Sequence, residues 1–105
     1  MQKYKQLYRT TLDQTEELPL YGVYILAYMG AIVYVGITTQ GIGYRLGQHI
    51  AAGDPVGVWM RLVDDWPNVR LDVLEPADCA DVSWMRQAEG QLVRRFAPVF
   101  NTMLQ

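Results

Sequence analysis

Residues 21–37, YGVYILAYMGAIVYVGI, form an uncharged run that limits what the chain can become. The run falls short of the ~18 to 20 apolar residues a membrane-spanning helix needs, and its glycines and tyrosines weaken such a helix further. A buried pair of strands fits better. Tyr, Val and Ile dominate residues 22–28 and 32–38 on either side of Met29-Gly30-Ala31, the pattern of two strands joined by a tight turn.

The turn decides which side chains share a face, because a one-residue shift of register reverses the faces. A two-residue Met29-Gly30 loop requires a positive φ at Met29 and sets Tyr24 opposite Val35, which separates the tyrosines. A three-residue Tyr28-Met29-Gly30 loop puts glycine at the left-handed third position that a G1 bulge requires, and sets Tyr24 opposite Tyr34. The three-residue loop is the expectation carried forward.

A length of 105 residues suits one compact domain, and 50% hydrophobic with 19% charged residues is ordinary globular usage. The single cysteine, Cys79, excludes an internal disulfide, and no Cys/His cluster suggests zinc. Cys79 reads as an inert loop thiol. The first residues are basic without a following apolar run, so no secretory signal or membrane segment is expected and an intracellular, cytoplasmic setting fits. The formal charge of -2 supplies no global attraction to nucleic acid, so phosphate binding must rest on local arrangement.

Tyr4, Leu7, Tyr8 and Leu12 at mixed 3/4 spacing predict a short amphipathic helix within residues 1–18, an N-terminal extension ended by Pro19. The main domain then covers residues 19–105. Residues 42–52 predict a helix, with Ile42, Leu46 and Ile50 on one stripe and Gly53 as its stop. Arg45 and His49 share an edge of that stripe, where they either enter one cleft or form an exposed helix edge. Residues 56–66 predict a second helix that packs as core through Val58, Trp59, Leu62, Val63 and Trp66. Residues 69–75 alternate as a strand, with Val69, Leu71 and Val73 inward and Arg70 and Asp72 outward.

A last helix, capped by Asp81 or Ser83, runs to about Phe96 ahead of Pro98. At about 100° per residue, Glu89 falls inside the apolar arc of Val82, Met85, Leu92, Val93 and Phe96. An unpaired carboxylate in a core costs several kcal/mol, so Glu89 needs a partner, a shifted pKa or a cation. Arg86, Arg94 and Arg95 point outward from that arc. A position at the core margin, bonded to a tyrosine hydroxyl or to backbone amides, would also account for it.

Gly22-Val23-Tyr24 and Tyr34-Val35-Gly36 together resemble the two half-motifs of the GIY-YIG nuclease family, each isoleucine replaced by valine. Arg45 and His49 match that family's helix Arg and His, Glu89 its acidic metal ligand, and Asn101 its C-terminal asparagine. The resemblance spans about residues 19–102. It implies an α+β fold, a small three-stranded antiparallel sheet flanked by helices in the order β-β-α-α-β-α. It also implies cleavage of DNA phosphodiesters with one Mg2+ or Mn2+ ion, held by Glu89. Arg45 would stabilise charge on the scissile phosphate, His49 would position or move a proton, Tyr24 and Tyr34 would bracket the attacking water, and Asn101 would organise them.

Gly36, Thr38 and Arg45 are the expected substrate contacts in the domain, joined by Lys3 and Lys5, which interleave with aromatic residues in the N-terminal segment as a phosphate-binding arm or a solvated face. With so few basic residues, DNA binding is expected to be weak, nonspecific or structure-specific, with a homodimer or a partner protein supplying targeting. The rival reading is a nuclease-fold module that binds or regulates a protein partner without cutting.

Overall fold

The computed structural model describes residues 4–78 and 81–102, with side chains from residue 6 onward. Strand β1 (Tyr4–Thr11) precedes the hairpin of β2 (Gly22–Tyr28) and β3 (Ala31–Thr38). Helices α1 (Ile42–Ala52) and α2 (Pro55–Leu62), a 3-10 turn at Trp66–Asn68, β4 (Arg70–Pro76), α3 (Val82–Phe96) and α4 (Val99–Thr102) follow. The strands form one antiparallel sheet in the order β1-β4-β2-β3, an α+β architecture.

Two expectations are corrected here. The sheet has four strands among the described residues rather than three, and the N-terminal segment supplies the extra one instead of a helix. The 3/4 spacing of Leu7, Tyr8 and Leu12 suggested a helix, but the segment has a strand partner far along the chain. Leu7 lies opposite Leu74, Tyr8 opposite Val73 and Arg9 opposite Asp72, and Leu12 ends in the core. A ladder of backbone hydrogen bonds with β4 outweighs a marginal local helix preference. The same pairing corrects Asp72, which is buried rather than outward-facing. Arg9 grips both its oxygens at 3.2 and 3.3 Å, and Arg70 adds a contact at 3.3 Å.

The hairpin follows neither of the two expected registers throughout. Its loop is the two-residue Met29-Gly30, with φ of 52° and 81°, and it closes Tyr28 opposite Ala31. That loop corrects the three-residue expectation, and taken alone it would put Tyr24 opposite Val35. A bulge intervenes: Ala27 pairs with Ile32 but Leu26 with Tyr34, leaving Val33 as the extra residue. Beyond the bulge Tyr24 faces Gly36, and Tyr24 and Tyr34 stand diagonally on one face. Two-residue loops favour positive φ because their twist matches that of the strands. Met29 accepts it on a fully turned-out side chain that is 87% exposed.

Helix α1 occupies its expected range, and Gly53 in the left-handed conformation donates its N–H to His49 O at 3.1 Å. Helix α2 stops at Leu62, earlier than expected, where Trp66 Nε1–H donates to Met60 O at 2.8 Å and so caps the helix end. Val56 and Met60 are buried in the core and Trp59, Val63 and Trp66 pack against it as expected, whereas Leu62 is exposed. Helix α3 starts at the N-cap Asp81, whose carboxylate accepts from Trp84 N–H at 3.0 Å.

The helices cover both faces of the sheet. Tyr24, Leu26, Tyr34, Leu71 and Val73 pack with Ile42, Leu46, Val56 and Met60 of α1 and α2. Val23, Ile25 and Val35 pack on the other face with Met85 of α3. Strand β3 is a sheet edge, so α1 and α3, on opposite faces, approach one another around it.

Candidate active site

Tyr24 can lie flat across the sheet because the residue opposite it has no side chain. A Cβ on Gly36 would sit 2.5 Å from the Tyr24 hydroxyl and from Cζ. Gly36 is buried beneath that phenol, so its part in the half-motif is to make room for Tyr24, and the phenol covers it where a substrate contact was expected. Tyr34 stands beside Tyr24 with ring centroids 6.0 Å apart.

Both rings meet His49, at 6.1 Å from Tyr24 and 5.2 Å from Tyr34, in edge-to-face geometry. His49 is 1% exposed and fully bonded. Its Nε2 lies 2.7 Å from the Tyr24 hydroxyl and its Nδ1 lies 2.6 Å from Asp54 Oδ2. Asp54 is the N-cap of α2, and its other oxygen accepts from Gly57 N–H at 2.9 Å. Glycine at 57 lets α2 start directly against the His49 carbonyl, which any Cβ there would strike.

Burial raises the Tyr24 phenol well above its ordinary pKa and Tyr34 raises it further, while the Arg45 guanidinium pulls the other way. Burial likewise raises Tyr34, opposed by the Arg45 guanidinium and by the neighbouring Tyr24 hydroxyl, with the charges of Asp54 and Glu89 adding to the rise. These influences put Arg45 beside both phenols and Glu89 within electrostatic reach of Tyr34. Burial also raises the Glu89 carboxyl above its usual 4.5, opposed by the charge of Arg86, which is exposed as expected.

Asn101 joins the set through the backbone. Its Oδ1 accepts from Val35 N–H and its Nδ2–H donates to Val35 O, both at 2.8 Å, so one amide closes the free edge of β3 next to Tyr34. Both ends of this amide are engaged by the strand. Thr38 is buried and its Oγ1 accepts from Gln40 N–H at 3.1 Å. With Arg45, Gln48, Val82 and Arg86 it lines an open cleft of about 380 Å³ between α1 and α3. Lys3 lies outside the described residues, as do the Lys5 side chain and Cys79.

The structure thus brings Tyr24, Tyr34, Arg45 and His49 together, with Glu89 near Tyr34 and Asn101 bracing the strand. Sequence reasoning missed Asp54 and Arg86. The Asp54-Pro55 pair after Gly53 is a helix-start signal, but helical spacing could not link it to His49 across the turn. Among the described residues no three His, Cys, Asp or Glu side chains converge on a metal position. The donor set fits only a cation that needs a single carboxylate, and Mg2+, which keeps most of its water and takes substrate oxygens, is such a cation. No helix among the described residues is long and apolar enough to cross a membrane. No family model, curated protein or solved structure matches the chain.

Proposed function

We propose that this chain is a divalent-metal-dependent endonuclease of the GIY-YIG type that hydrolyses DNA phosphodiester bonds. The observation that carries this reading is the meeting of two phenols, a guanidinium and a buried histidine beside a half-buried carboxylate, at the edge of the sheet. Neutral packing would need none of these groups, and phosphodiester hydrolysis has a use for each kind.

Glu89 is the residue that would hold Mg2+ or Mn2+, and the ion would offset charge on the scissile phosphate. The Arg45 fork stays charged at any working pH and suits two bonds to phosphate oxygens. Arg45 with Arg86 across the cleft, and Thr38 and Gln48 between them, would seat the strand. The contact with His49 favours Tyr24 as the tyrosine that moves the proton. Because burial keeps its phenol protonated, Tyr24 acts as a relay: its oxygen takes a proton from the attacking water while its own proton passes to His49 Nε2. The water oxygen bonds to phosphorus, the bond from phosphorus to the departing sugar oxygen breaks, and that oxygen takes a proton from solvent.

The test is to incubate the purified chain with circular, branched and single-stranded DNA in Mg2+ or Mn2+, beside an EDTA control and Glu89→Ala. Cleavage that needs both metal and Glu89 supports the reading. Undiminished metal-dependent cleavage by Glu89→Ala contradicts it, and no cleavage of any substrate together with a stable protein partner favours the binding-module reading.

A further inference from the structure

His49 works as a proton acceptor toward Tyr24 only if its Nε2 carries a lone pair. Which ring nitrogen holds the hydrogen is set by what the other one faces. Nδ1 faces Asp54 Oδ2 at 2.6 Å, and a carboxylate oxygen accepts without donating. From this geometry we infer that Asp54 is a positioning residue of the site: it holds the His49 hydrogen on Nδ1 and so leaves Nε2 to accept from Tyr24.

The residue type is demanded by both of its oxygens. Oδ1 accepts the Gly57 N–H at the start of α2 while Oδ2 accepts from the ring. Asparagine offers one acceptor and two donors, so in its place either the cap is lost or an N–H is turned on Nδ1. In the second case the hydrogen moves to Nε2, and the ring can no longer accept from Tyr24. Serine would satisfy the cap alone.

The backbone holds Asp54 in place. Gly53 N–H bonds to His49 O at 3.1 Å, Asp54 O accepts from Val58 N–H at 2.8 Å, and Gly57 lets α2 press against the His49 carbonyl. Asp54 therefore ties the end of α1 to the start of α2 and aims the ring between them. Sequence spacing conceals the link, because the two residues are five apart across a turn rather than on one helix face.

This inference rests on the nuclease reading for its catalytic part, and the test separates the two. The chain has one histidine, so the nitrogen-15 NMR pattern of the imidazole belongs to His49 without assignment. Spectra at alkaline pH are recorded for the native chain, Asp54→Asn and Asp54→Ser, with circular dichroism to check folding and cleavage kinetics on DNA with Mg2+. The native ring is expected with hydrogen on Nδ1, and Asp54→Asn with hydrogen on Nε2.

For both variants kcat should fall on the order of a hundredfold or more, as for a histidine held in the wrong tautomer, with KM within about twofold. Asp54→Ser separates the roles, since a residue needed only as a cap would leave its kcat unchanged. Persistence of the Nδ1 hydrogen in both variants, or native kcat in Asp54→Ser, overturns the inference. If the native chain cuts no DNA, the nuclease reading fails, and the tautomer pattern alone decides whether Asp54 sets the ring.

Discussion

Alternate residues of β2 and β3 face two different interiors. Toward α3, Val23, Ile25 and Val35 close on Met85 with apolar atoms alone. Toward α1 and α2, the same strands put Tyr24 and Tyr34 among Leu26, Ile42, Leu46 and Met60, and α1 adds His49. Among the described residues no buried side-chain polar atom lacks a partner, so this second layer is held without an unsatisfied group. Such a network is demanding, because losing one partner leaves a group that costs about 1–3 kcal/mol. Apolar residues of the same volume would hold the layer at less risk. The Val23, Ile25, Val35 and Met85 cluster shows what stability alone asks of this sheet, and the polar groups of the other face, joined by Glu89 from α3, are the part assigned to chemistry.

If that division is right, substitutions on the two sides should fail in different ways. The largest effect is expected from Glu89→Gln, with cleavage falling at least about a thousandfold, or roughly 4 kcal/mol of barrier. Its stability should move the other way. Burial raises the folded carboxyl above the 4.5 of the unfolded chain, so from about pH 4.5 upward the folded state holds more protons and its stability declines as pH rises. Glutamine removes that penalty. Thermal melts should show Glu89→Gln more stable than the native chain at pH 7 and equal to it below about pH 4, and Mg2+ should raise the melting temperature of the native chain only.

Met85→Ala should reverse the pattern. It opens a cavity on the apolar side and should cost about 3 kcal/mol by denaturant unfolding, while the folded fraction cleaves at the native rate. Gly36→Ala strikes the boundary between the layers. Its methyl would displace the Tyr24 phenol, at a cost of about 2 kcal/mol for overpacking, and activity should be lost with it. The smallest effect concerns the loop both layers share: Met29→Asn, which tolerates positive φ, should stabilise the hairpin by about 0.5–1 kcal/mol with cleavage unaltered.

Local signals carried much of this architecture. The α1 stripe and its Gly53 stop, the Asp81 cap of α3 and the alternation of β4 could be read because each depends on neighbours in sequence. The misreadings have nonlocal causes. β1 forms only because β4, more than sixty residues on, offers it a partner, as the Tyr8–Glu75 hydrogen bond at 3.2 Å illustrates. Asp72 is buried because the same pairing delivers Arg9. The tyrosines share a face, as expected, for a reason the sequence hides: a two-residue loop and a bulge at Val33 together restore what a three-residue loop would have done. For the site, residue types and order pointed to Tyr24, Tyr34, Arg45 and His49, whereas the Asp54 link across Gly53 needed coordinates.

The most direct test of the central claim is the rate at which supercoiled circular DNA is nicked in Mg2+ by the native chain and by Arg45→Ala, both checked for an unchanged melting temperature. Arg45 is half-buried and its side chain bonds to Gln48 at a long 3.4 Å, so its removal should spare the fold. The account predicts nicking by the native chain and a loss of about a hundredfold or more in the variant. Equal nicking by both proteins would contradict it.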